Sequence, residues 1–179
     1  MRAAARAACT LLALLVCACA QFELEPGAGE LEFDLSGRLA ARYGDESFSA
    51  SVAWRHGRLR DEMLLSTPFG QGLARITREG DSVTLRTAEP REYRAADAES
   101  LTAQVLGFRL PLRGLAQWVQ ARPAAGSAAL TELSQDGRLR ALEQDGWTIE
   151  YQEYDGRLPS RLRLTYPGIE LRLAISQWK

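Results

Sequence analysis

Cys17 and Cys19 stand one residue apart, a spacing that could bind a metal through paired thiolates, and Cys9 lies a short way upstream. All three fall in an apolar N-terminal run, which argues against a metal site there. The chain has one histidine, set in Arg55-His56-Gly57-Arg58. This reads as a hairpin tip, and general-base or metal chemistry would want a second histidine or a nucleophile elbow beside it, neither of which is present. Carboxylates such as Glu150, Glu153 and Asp155 fall on the polar phase of strands or in turns and read as a solvated face rather than as an acid/base pair. No phosphate-cradling loop of the Walker or dinucleotide kind occurs. What remains is covalent chemistry at a cysteine and apolar contact at the tryptophans; no enzymatic activity is expected.

The cysteine chemistry is the more specific of the two. Arg2 and Arg6, an apolar run from Leu11 to Val16 and small residues before Cys19 follow one another in the order of a secretory signal. The run is shorter than the about 20 apolar residues of a permanent span. Val16-Cys17-Ala18-Cys19 resembles the bacterial lipobox, and cleavage before Cys19 places Ala18 at the scissile bond, where cleavage before Cys17 would place Val16. Residues 1–18 are therefore expected to be a lipoprotein signal peptide, and Cys19 the new N-terminus, carrying a diacylglyceryl group and an acyl chain. Cys9 and Cys17 then leave with the signal and Cys19 is consumed, so no disulfide, thiolate nucleophile or cysteine metal site is expected in the mature chain. Apart from the covalent lipid no cofactor is expected.

The rest has the length of one domain with a substantial core. Losing Arg2 and Arg6, with no acid in the same segment, takes the net charge from −1 to −3. That balance speaks against a nucleic-acid partner, and no run of basic residues offers a patch to an anionic membrane surface. Export also removes the body from ATP, so nucleotide-driven work is not expected.

Residues 19–30, with Pro26, Gly27 and Gly29, read as a lipidated tether, and 31–179 as a single domain. Within it, Phe33, Leu35, Leu39, Ala41 and Tyr43 alternate with polar or small residues, and Phe48, Ala50, Val52 and Trp54 repeat the pattern after Gly44-Asp45. Met63 to Leu65, Gly72 to Thr77 and Val83 to Arg86 continue an antiparallel meander. The period then changes. Asp97 can cap a helix carrying Leu101, Val105 and Leu106, with Gly107 to stop it; Pro111 can open a second, with Leu112, Leu115, Trp118 and Val119 on one stripe. Strand period returns in Leu130 to Leu133, Leu139 to Leu142, Trp147-Ile149-Tyr151, Leu162-Leu164-Tyr166 and Ile169 to Ile175. The expected fold is mainly β: an incomplete, curved antiparallel barrel of about ten or eleven strands whose helices cover an apolar cavity.

Two features stand out on that frame. Trp54, Trp118, Trp147 and Trp178 lie in four separate elements, and three of them fall on an apolar phase, so they either pack a core or line a space. Thr67-Pro68-Phe69-Gly70 sets an aromatic at a turn apex, where it either folds back onto the core or stands out as an apolar finger.

Over nearly the whole mature length the chain resembles the LolB family, the outer-membrane lipoprotein receptors of Gram-negative bacteria. The resemblance is carried by Phe33-Asp34-Leu35-Ser36-Gly37-Arg38-Leu39, Ala50-Ser51-Val52-Ala53-Trp54, Leu64-Leu65-Ser66-Thr67-Pro68-Phe69-Gly70-Gln71, Ala96-Asp97-Ala98-Glu99, Gly107-Phe108-Arg109-Leu110-Pro111-Leu112, Gln117-Trp118-Val119, Gly146-Trp147, Tyr151 and Trp178. It implies a monomeric half-barrel on the periplasmic face of the outer membrane. That half-barrel would accept lipoproteins from a LolA-type carrier and hold their acyl chains among Trp54, Leu65, Leu101, Val105, Leu115, Trp118, Trp147 and Tyr151. The family's membrane-insertion loop maps to Pro68, Phe69 and Gly70, with Phe69 where members commonly carry leucine. The tether is shorter than the family's, and Ala20-Gln21 after Cys19 lack the aspartate associated with inner-membrane retention in enteric bacteria. The other reading is a lipid-anchored structural or assembly protein of the envelope with a filled core; an apolar cavity open to solvent separates the two.

Overall fold

The computed structural model describes residues 30–88, 92–95, 97–106 and 111–179. The signal at 1–18, Cys19 and the tether up to residue 29 lie outside the described residues, as do Ala96 and Gly107-Phe108-Arg109-Leu110. The strands are β1 (Leu31–Tyr43), β2 (Glu46–Gly57), β3 (Arg60–Ser66), β4 (Gly72–Glu79), β5 (Ser82–Thr87), β6 (Glu92–Ala95), β7 (Ala129–Leu133), β8 (Leu139–Gln144), β9 (Trp147–Asp155), β10 (Leu158–Tyr166) and β11 (Ile169–Trp178). Helices α1 (Ala98–Leu106) and α2 (Leu112–Trp118) come between β6 and β7.

These eleven strands form one sheet in the order β6-β5-β4-β3-β2-β1-β11-β10-β9-β8-β7. Two meanders are joined where β1 pairs antiparallel with β11. The two edges, β6 and β7, are the strands that flank the helices in sequence. The barrel is thus left open, as the alternation and the change of period led us to expect. β6 has no counterpart in the sequence reading, because Glu92-Tyr93-Arg94-Ala95 is too short and too charged to show a period; charge is how edge strands avoid further pairing.

One face of the sheet is apolar and holds the core. Leu35, Trp54, Leu142, Ile149, Leu162 and Leu164 are essentially inaccessible on it. Among the described residues, the eleven strands and the buried cluster lie within 31–178. Asp97 caps α1 as expected, its Oδ1 accepting from the Ser100 backbone N–H at 2.6 Å. An irregularity in β1–β11 pairing at Ser36/Gly37 shifts the register. It turns Trp178 onto the inner face opposite Leu35, where the indole meets Phe33 at 5.6 Å between ring centroids. The backbones approach so closely there that a Cβ on Gly37 would lie 2.2 Å from the Ala174 carbonyl oxygen, which is why glycine is required.

Candidate functional site

Between the two meanders the inner face leaves a cavity of about 290 Å³. Strand alternation builds its wall from Leu39 and Ala41 of β1, Val52 and Trp54 of β2, Met63 and Leu65 of β3, and Leu171 and Leu173 of β11. Helix α2 contributes Leu115. The polar members of the wall, Tyr43, Glu46 and Ser47, lie together at the β1–β2 turn with Phe48. Tyr43 and Phe48 are 44% and 42% exposed, so this end is the mouth. The interior offers no converging polar groups. It suits an apolar guest and gives a reacting group nothing to work with.

Of the residues expected to line this space, Trp54, Leu65 and Leu115 do so. Trp118, Trp147 and Tyr151 are brought together elsewhere, as a packed cluster under the C-terminal end of α2. Trp118 is wholly buried. Its Nε1–H donates to Gln144 Oε1 at 2.8 Å, and its ring lies 6.2 Å from that of Trp147. Tyr151 Oη donates to the Trp118 carbonyl at 2.9 Å, and burial raises the Tyr151 phenol above its ordinary pKa, with Tyr154 adding to the rise. The placement of these three in the cavity wall is therefore corrected: they anchor the helix that presents Leu115, one turn earlier, to the cavity. Leu101 is buried in α1, which packs against β5 and β6, and is not part of the wall. Val105 belongs to α1, and its side chain lies outside the described part.

Beyond Trp54, the inner face ends in a buried polar cluster that the sequence reading missed. His56 is not a hairpin tip: β2 runs on through it, and the bend falls at Arg58-Leu59. His56 stands opposite Asp61 and donates to its carboxylate through Nδ1. Asp61 also accepts from Arg78 Nε and, at 3.4 Å, from Trp54 Nε1. A buried carboxylate needs such partners to stay charged. Phe33 stacks on the imidazole at 4.9 Å. The cluster gives the Trp54 indole N–H a buried acceptor, while Glu150, Glu153 and Asp155 are exposed as the sequence suggested.

The β3–β4 loop is a self-contained turn. The Thr67 backbone N–H donates to the Gln71 carbonyl at 2.8 Å, the Gly70 N–H to the Thr67 carbonyl at 2.9 Å, and the Gln71 N–H to Thr67 Oγ1 at 3.1 Å. Gly70, at φ 84°, makes the reversal. These bonds fix the turn with Phe69 at its apex. Phe69 is 98% exposed.

An unclosed antiparallel barrel with an apolar cavity on its inner face and an exposed apolar loop is the class of architecture that the residues build. A family model described as Outer membrane lipoprotein LolB matches residues 31–178. An outer-membrane lipoprotein LolB of Thiobacillus denitrificans is 42% identical over 147 residues, covering 81% of this chain and 78% of that protein. One of Chromobacterium violaceum is 34% identical over 177 residues, covering 94% and 95%. Among solved structures, a DUF1329 family protein of Desulfovibrio piger shares the fold at a TM-score of 0.55 and 9% identity, covering 82% of this chain and 84% of that one. The chain belongs to the LolB family of outer-membrane lipoproteins. It serves lipoprotein localisation; like the family it is not an enzyme and uses no cofactor.

Proposed function

We propose that the protein accepts lipoproteins from a periplasmic LolA-type carrier, shelters their acyl chains in the inner-face cavity and releases them into the outer membrane through the Phe69 loop. In this reading residues 1–18 are removed, Cys19 is acylated, 19–30 tether a monomeric body, and the body faces the periplasm. The observation that carries it is the cavity between Trp54, Leu65 and Leu115, apolar inside and open at Tyr43 and Phe48. Transfer without a nucleotide needs only rising affinity: each buried CH₂ contributes about 0.8 kcal/mol, so acyl chains move toward whichever site buries more of them, and a bilayer buries most. At about 290 Å³ the cavity lies at the lower edge of the ~300–1,000 Å³ of small-molecule sites. A long chain therefore needs the cavity to widen.

The direct test mixes the body, residues 30–179, with a purified lipoprotein held by its carrier and follows where the cargo goes. Cargo is expected to move to the body, and on to liposomes when these are added. Cargo that stays with the carrier at every ratio would overturn the reading.

A further inference from the structure

The outer face of the sheet carries a cluster of arginines that no run of residues announces. Arg38 of β1 stands opposite Ala174 of β11, and Ala174 opposite Arg161 of β10. In the next row, Ala40 stands opposite Arg172 and Arg172 opposite Arg163. At about 4.8 Å between strands, Arg38 and Arg161 flank Ala174 at roughly 10 Å. Arg172 completes the ring from the row beside it. Ala40, Ala174, Ser49 and Ser51 are too small to fill the middle. The result is a groove of about 460 Å³ walled by Arg38, Arg161, Arg163 and Arg172, with no carboxylate in its lining.

Arg163 and Arg172 face each other across the strand pair, and Arg163 also reaches Glu150 at 3.8 Å. Glu170 serves both, accepting from Arg163 Nε at 2.8 Å and pairing with Arg172 Nη2 at 2.8 Å. Arg161 pairs with Glu153 at 2.8 Å. Arg38 makes no ion pair among the described residues. Guanidinium groups converging on an open, small-residue floor match a phosphate, which they can grip in bidentate fashion.

Pro68 lines the same groove. The exposed Phe69 is the next residue, so basic groove and apolar tip share one side of the molecule. That pairing of apolar and basic surface is how a protein seats on an anionic bilayer. We propose that the groove binds the phosphates of anionic phospholipid headgroups and sets the body on the membrane with Phe69 directed into the lipid; the second half of this rests on the insertion reading of Phe69, the first does not.

The test is sedimentation of the body, residues 30–179, with vesicles of phosphatidylcholine alone or of phosphatidylcholine doped with phosphatidylglycerol. The wild type is expected to prefer the doped vesicles, and the preference to fade with salt. A variant carrying Arg38→Gln, Arg161→Gln and Arg172→Gln is expected to bind doped vesicles on the order of a hundredfold more weakly. Should that variant fold poorly, Arg38→Gln alone, which breaks no ion pair among the described residues, is expected to cost roughly fivefold. Binding of an acyl-chain probe in the inner-face cavity, which none of these arginines lines, is expected to stay unchanged in either. Phe69→Ser, which changes no charge, lowers binding to both vesicle types and leaves their ratio intact, so failure of the finger and failure of the groove look different. A wild type without preference for phosphatidylglycerol, or arginine variants that bind doped vesicles as the wild type does, would overturn the proposal.

Discussion

Gln144 Oε1 accepts two hydrogen bonds at 2.8 Å, one from the Trp118 indole and one from the Ala124 backbone N–H, while its amide donates to the carbonyls of Ala124 and Ser127. A single side chain on β8 thus ties down both the end of α2 and the loop that follows it. Gln144→Ala leaves the buried Trp118 indole N–H unpaired and removes the partner of the half-buried Ala124 backbone, and is expected to destabilise the body by about 1–3 kcal/mol, read by thermal melting. A variant that melts with the wild type would show that Trp118 packing alone holds the helix.

Because Trp54 lines the cavity and Trp118, the last residue of α2, does not, the two indoles are expected to report differently on an acyl-chain probe. Trp54→Phe should remove most of the fluorescence change on saturation. Trp118→Phe should keep it, after allowance for any loss of stability followed by melting in parallel. The opposite pattern would place the acyl site under the helix, among Trp118, Trp147 and Tyr151.

Phe69→Glu changes a side chain that touches little, so the melting point is expected to stay within about 0.5 kcal/mol of the wild type. Uptake of cargo from the carrier should persist. Delivery into liposomes should fall, since a carboxylate is disfavoured in the lipid interface, and the variant should accumulate loaded. Delivery at the wild-type rate would remove the finger from the mechanism.

Tyr151 supplies a pH dependence. Its phenol is raised by burial above the 10.0 it has when unfolded, so the native state holds that proton longer than the unfolded chain does. The contribution is complete below pH 10 and is lost as pH rises from there toward the raised native value. The wild type is expected to lose stability above pH 10 more steeply than Tyr151→Phe. Denaturant melts at a series of alkaline pH values measure this, and equal slopes for the two proteins would show that Tyr151 is not protected from ionisation.

Most of the architecture was legible without coordinates, because a strand with one face on a core must alternate and a covering helix must repeat every three or four residues. Phe33 to Tyr43, Phe48 to Trp54 and Ile169 to Ile175 declare their inner faces that way, Asp97 and Pro111 mark where helices begin, and the Thr67 to Gly70 turn is recognisable from its residues. Periodicity says which way a side chain points; it does not say what lies opposite. That Trp54 would border a void while Trp118 and Trp147 would be packed together depends on where α2 settles, which hydrogen bonds from Gln144 and Tyr151 decide. His56, Asp61 and Arg78 meet only because β2 runs past the expected turn and the register of three strands aligns them. The same holds outside, where Arg38, Arg161 and Arg172 come from strands at opposite ends of the chain. Each is an ordinary solvent-facing arginine in its own strand, and the pairing of β1 with β11 makes them one surface.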